Sequence, residues 1–175
     1  MFPTKIIRRF FVLLVLAFLP YMSFGQFQSA EIGVDGLTCS ACTRSVEMSI
    51  RKLDFVDSVA MDLSNTNGKL FFKKGGKVSI EKIAKAVTDA GFSVRYLNAS
   101  FNFNNISVSE NFCWNYEGGQ YQFVKTEEKK MNGDITLKFI GEKYLSKKEI
   151  KKWSAIISNT KGKGCNAKNI YYVTL

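Results

Sequence analysis

The chain has 175 residues, with 25 Lys+Arg against 15 Asp+Glu, a formal net charge of +10 and 46% hydrophobic residues. That balance marks a globular chain and excludes a wholly disordered one. It contains no histidine. Ser-His-Asp and Cys-His catalysis, zinc sites with histidine ligands and two-histidine facial triads are therefore excluded. Four cysteines are left as the soft metal ligands besides methionine.

The first segment reads as an export signal. Lys5, Arg8 and Arg9 form a basic head, Phe10 to Leu19 an apolar run, and Pro20 ends it. Ser23-Phe24-Gly25 offers small residues where a signal peptidase cuts. The run is short for a membrane span, which takes about 20 residues; an uncleaved anchor is the alternative. Cleavage would start the mature chain near Gln26 and leave a net charge of +7. The expected location is outside the cytoplasm, periplasmic or secreted, with no transmembrane segment in the mature chain. Disulfides are compatible with such a compartment.

From Ala30 to Leu97 strands and helices alternate. Ile32 and Val34 suggest a strand, broken at Asp35-Gly36-Leu37-Thr38. Val46, Ile50 and Leu53 share a helical face. Val59, Met61 and Leu63 alternate as a strand, Asn65-Thr66-Asn67-Gly68 predicts a hairpin turn, and Lys69 to Lys73 the returning strand. Ile80, Ile83, Val87 and Ala90 mark a second helix, closed by Gly91. Phe92, Val94 and Tyr96 alternate as a last strand. The order βαββαβ predicts a ferredoxin-like sandwich.

Asn98 to Asn105 is rich in Asn and Ser and reads as a linker, although Phe101 and Phe103 could begin a strand. Beyond it, Cys113 to Tyr116 and Tyr121 to Lys125 flank the hairpin signal Glu117-Gly118-Gly119-Gln120. Asn132-Gly133 predicts another turn before Ile135, Leu137 and Phe139. Ser146 and Glu149 form a capping box, with Leu145 and Ile150 placed as a hydrophobic staple. Ile150, Trp153 and Ile157 continue that helix, Lys161 to Gly164 is a loop, and Asn169 to Thr174 a final strand. The expected class is α+β: a ferredoxin-like sandwich followed by a second, small, strand-rich α+β domain. The divisions are a signal peptide at 1–25, a first domain at 26–97, a linker at 98–105 and an accessory domain at 106–175.

Gly36-Leu37-Thr38-Cys39-Ser40-Ala41-Cys42 carries the chemistry. Two cysteines three apart straddle a loop and the first turn of a helix, so both sulfurs face one small space. The unpaired N–H groups of a helix start favour thiolate over thiol. Thiolates select soft ions such as Cu(I). With no third ligand evident, near-linear coordination fits and four-coordinate zinc does not.

Residues from about Ala30 to Leu97 resemble a heavy-metal-associated domain, the module of copper chaperones, copper-ATPase amino-terminal domains and a periplasmic mercury-binding protein. The family stretch Gly-Met-Thr-Cys-x-x-Cys stands here with Leu37 in place of Met, which keeps an apolar plug. Ala90-Gly91-Phe92 matches the second landmark. The resemblance implies Cys39 and Cys42 as metal ligands, with Thr38, Leu37 and Phe92 beside them and Phe92 shielding the sulfurs. It implies Cu(I) as cargo, with Hg(II) or another soft metal as the alternative, and a metal-donor or metal-acceptor protein as partner.

Other readings of the same residues are a plain disulfide or the active pair of a thiol oxidoreductase, although Ser40-Ala41 lacks the proline common in redox pairs. An adhesion or assembly module with a vestigial metal domain is a further rival. Phe92 is equally well read as ordinary core. Cys113 and Cys165 are expected to form a structural bridge, closing a loop of about fifty residues for roughly 4 kcal/mol. The alternative is a second thiolate pair that exchanges metal with the first. No catalytic constellation is present, so no enzyme is expected. Residues 98–175 carry 12 Lys against 7 acidic side chains. Lys147, Lys148, Lys151 and Lys152 are expected on a solvated helix face, the alternative being a dock for an acidic partner or anionic lipid. Nucleic acid is not an expected partner. Trp114, Tyr116, Tyr121, Phe123 and Trp153 are expected in the core.

Overall fold

The computed structural model describes residues 25–167 and 169–175. The basic head, apolar run and Ser23-Phe24 of the signal reading lie outside those residues. No helix among the described residues is long and apolar enough to cross a membrane.

Strand β1 (Phe27–Asp35) leads into helix α1 (Ser40–Arg51), followed by β2 (Val56–Asp62), β3 (Asn67–Phe72), α2 (Ile80–Asp89) and β4 (Ser93–Val108). Then come β5 (Cys113–Tyr116), β6 (Gly119–Phe123), β7 (Lys129–Ile140), α3 (Lys147–Thr160) and β8 (Ile170–Thr174). The amphipathic patterns explain the helices. Val46 and Ile50 of α1 and Ile83 and Val87 of α2 join Ile32, Leu70 and Leu97 in one core. Leu53, expected on the face of α1, lies just past its end. α2 stops in a Schellman motif: Gly91 N–H donates to the Thr88 carbonyl at 3.0 Å and Phe92 N–H to that of Val87 at 3.1 Å. Gly91 supplies the left-handed residue this needs, at φ 88°.

The linker expected at 98–105 is corrected. Those residues belong to the 16-residue β4, which pairs with β1 on one side and β7 on the other. Phe101 and Phe103 are buried, while Asn102 and Asn104 take the alternate positions. The Asn/Ser content therefore reflects the polar half of a strand's period of two. β4 carries one sheet of eight strands, in the order β2-β3-β1-β4-β7-β8-β6-β5. The two halves read from the sequence thus share a sheet, and residues of both lie in one core cluster.

Two further expectations shift. Asn132-Gly133 is no turn, for β7 runs through it. The β4–β7 register slips between Phe103 and Ile106, and Gly133 takes φ 76°. The extra residue of this β-bulge lies in β4, where Asn105 takes φ 51°, and β7 runs on opposite it. Tyr96 does not share the Val94 face either. A register shift opposite Gly33/Val34 leaves Arg95 unmatched, and Tyr96 turns to the face opposite Leu97. Its ring lies over Gly33, where a Cβ would come within 2.3 Å of it. Its hydroxyl donates to Glu31 Oε1 at 2.5 Å.

The far half of the sheet curls. The Phe27 ring lies 5.7 Å from Tyr116 and 6.0 Å from Tyr121, although four strands separate β1 from β5 in the sheet. Phe101 fills the fold, with its ring 4.5 Å from Trp114 and 4.8 Å from Tyr116. The outer face is covered by α3, whose Trp153, Ile156 and Ile157 pack with Val124, Ile140, Leu145, Tyr96 and Tyr172. A disulfide joins Cys113 to the buried Cys165, Cα atoms 5.2 Å apart. It ties β5 to the loop after α3.

Burial raises the phenols of Tyr116, to about 12, and of Tyr121 and Tyr144. A raised folded-state value means that their stabilising effect is complete below pH 10 and is lost as pH climbs through the folded value. Stability is expected to hold up to about pH 10 and fall above it. Tyrosinate absorbance should lag a free-phenol titration until circular dichroism reports unfolding. A titration of Tyr116, Tyr121 and Tyr144 near pH 10 in folded protein would contradict this.

Candidate metal centre

The site grows from the end of β1. Gly36 takes φ 92°, a left-handed turn that suits glycine and swings the chain off the sheet. Leu37 is buried, 4% exposed, and anchors the loop in the core. Thr38 and Cys39 are exposed and Cys42 is half-buried, packed against the core. Cys39 is the N-cap of α1: its Sγ accepts the Cys42 N–H at 3.2 Å. Thr43 seals the turn, its N–H donating to the Cys39 carbonyl at 3.1 Å and its hydroxyl to the same oxygen at 3.2 Å.

The two Cα atoms are 5.3 Å apart, and Cys39 and Cys42 are joined as a disulfide. The pair is thus held in its oxidised form, and its sulfurs must be reduced before they can ligate an ion. No acidic residue occupies the first turn of α1, so nothing there competes with thiolate for the positive end of the helix. Among the described residues no group of three or more Cys, Asp or Glu gathers to hold a metal. The arrangement offers two sulfurs and no protein cage.

Phe92, delivered by the Schellman turn, has its ring 3.5 Å from where a Gly36 Cβ would lie. Leu37, Thr38, Cys39, Cys42 and Phe92 therefore belong to one end of the sandwich. Arg95 was not marked by the sequence. Its guanidinium donates to Thr66 Oγ1 at 2.7 Å and the Asn65 carbonyl at 2.9 Å, and lies 3.9 Å from Asp35. It ties the β2–β3 turn to the start of the cysteine loop. An unmatched residue at a bulge has no pattern by which a sequence could single it out. Cys113 and Cys165 belong to the far half, in β5 and the loop before β8.

A sequence profile of the heavy-metal-associated domain matches residues 31–93. The chain is 35% identical over 65 residues to the mercuric transport protein periplasmic component of Pseudomonas fluorescens, covering 37% of this chain and 70% of that protein. It is 31% identical over 64 residues to the copper chaperone CopZ of Staphylococcus haemolyticus, covering 37% of this chain and 93% of the chaperone. Over 70 residues it is 36% identical to copper-transporting ATPase 1 of Rhizobium meliloti, covering 40% of this chain but only 8% of the ATPase. The chain belongs to the heavy-metal-associated domain family, and Cys39 and Cys42 are its CxxC pair.

Proposed function

We propose that the protein is an exported soft-metal carrier or scavenger that binds one Cu(I) through Cys39 and Cys42. The observation that carries this reading is the placement of an exposed sulfur at the N-cap and a second in the first turn of the same helix. Two equivalents of an external thiol reduce the disulfide, leaving Cys39 and Cys42 as thiols and the external pair joined as a disulfide. Binding then releases two protons and gives a two-coordinate Cu(I) near the surface. An open coordination position admits a partner's sulfur before either ligand leaves, so the ion passes through a three-coordinate intermediate. Hg(II) accepts the same two thiolates, and similarity to a mercuric transport protein supports it as the alternative cargo. Export is supported by the signal-like amino terminus and by similarity to a periplasmic component. Residues 98–175 complete the shared sheet, and the reading assigns them no catalytic step.

The bonded pair also favours a second reading, a thiol–disulfide redox protein. Anaerobic purification after gentle reduction, with metal content and thiol count on the same sample, separates the two. The carrier reading expects one Cu(I) per chain held against a Cu(I)-selective chelator. A metal-free chain that turns over an insulin-reduction assay would replace it with the redox reading.

A further inference from the structure

The end of the molecule that bears the cysteine loop is completed by a helix from outside the matched region. α3 starts there: Ser146 N–H donates to the Arg95 carbonyl at 3.0 Å. Between it and the ends of β1 and α2 lies a cleft of about 480 Å³, walled by Asp35, Thr88, Ser93, Glu142, Lys147 and Lys148 among others. Asp35 immediately precedes Gly36, and Ser93 immediately follows Phe92. The cleft therefore adjoins both chain segments that frame Cys39.

Lys147, Lys148 and, one turn on, Lys151 are exposed. None of the three forms an ion pair among the described residues. Lys147 and Lys148 are the first two residues of α3, where the free N–H groups already concentrate positive charge. Lysine at that position works against the helix; the acidic first-turn residue, Glu149 here as Glu81 in α2, is what complements the helix start. Helix stability does not account for these lysines, and a negatively charged visitor does.

We infer that Lys147, Lys148 and Lys151 form a docking patch beside the cysteine loop for an acidic protein that exchanges metal with Cys39 and Cys42. The inference rests on the metal-exchange reading. Exchange at an exposed two-sulfur site needs a second protein's sulfur brought close and held in orientation, and complementary charge speeds that encounter and sets its register. A concave cleft edged by Lys147 and Lys148 fits projecting acidic side chains better than a flat anionic bilayer, and its Asp35 carboxylate is offset by Arg95, 3.9 Å away.

The test uses the reduced full chain under anaerobic conditions and two labelled Cys-x-x-Cys peptides, one flanked by glutamates and one by glutamines. Fluorescence anisotropy with metal-free protein reads docking, and stopped-flow transfer from Cu(I)-loaded protein reads exchange. The glutamate peptide is expected to bind and to receive Cu(I) about tenfold better at low salt, with the advantage vanishing near 0.5 M salt. The K147E/K148E/K151E variant should lose the advantage while its Tm holds or rises, because glutamate suits a helix start. Equal behaviour of the two peptides, or a preference surviving in the variant, overturns the patch. Binding to phosphatidylglycerol vesicles that the variant loses, without a glutamate preference, also overturns it in favour of a membrane face. A chain that keeps the glutamate preference but takes up no Cu(I) refutes the exchange reading instead.

Discussion

Replacing Cys39 and Cys42 together by serine is expected to lower Cu(I) affinity about a thousandfold or more, because both soft donors are lost and hydroxyl oxygens do not replace them. Each single variant should retain one soft donor and fall between. Stability should change little. Serine is a favoured N-cap, so Cys39→Ser keeps an acceptor for the Cys42 N–H now bonded to Sγ at 3.2 Å. The three-residue loop closed by the native disulfide restrains little chain. Cys113→Ser should leave affinity nearly unchanged, since its partner Cys165 lies in the far half of the sheet. Chelator competition at matched protein concentration reads all four variants against the unaltered protein. Undiminished affinity in the double variant would move the metal to the Cys113–Cys165 pair.

Phe101→Ala should be the most destabilising single change, costing about 3–5 kcal/mol. Phe101 is 2% exposed and its ring meets Phe27, Phe103, Trp114 and Tyr116. It sits on the strand shared by the family module and the curled half, so its loss empties the joint between them. Urea unfolding should remain a single transition, shifted to lower urea. Hydrogen exchange at Val46 and Ile50 in α1 should accelerate along with that in β6 and β8. Unchanged protection in α1 with a separate, earlier transition of the far half would show that the two halves fold independently.

Much of the candidate site was legible in the sequence because its determinants are local. A glycine, a buried leucine, an N-capping cysteine and a second cysteine one turn on all act within seven residues. The Ala90-Gly91-Phe92 stop is equally local, as its two closing hydrogen bonds span three and five residues. The helices announced themselves through the spacing of Val46 and Ile50 and of Ile80, Ile83 and Val87.

What only the tertiary structure decided is which strands meet. Asn98 to Asn105 looks like a linker because half its side chains are polar, and only pairing with both β1 and β7 makes it a central strand. Asn132-Gly133 has the composition of a turn, and pairing with a strand far away in sequence makes it a continuous stretch of β7 opposite a bulge in β4. The parallel pairing of β6 with β8, across the whole of β7 and α3, has no local signature. The same holds for the bulge that turns Tyr96 toward Glu31 and for the placing of Lys147 and Lys148 beside Asp35. Capping, turn and periodicity signals report on residues a few positions apart. Strand partnership and the meeting of α3 with the cysteine loop depend on contacts between distant segments, which form only when the eight-stranded sheet closes around its shared core.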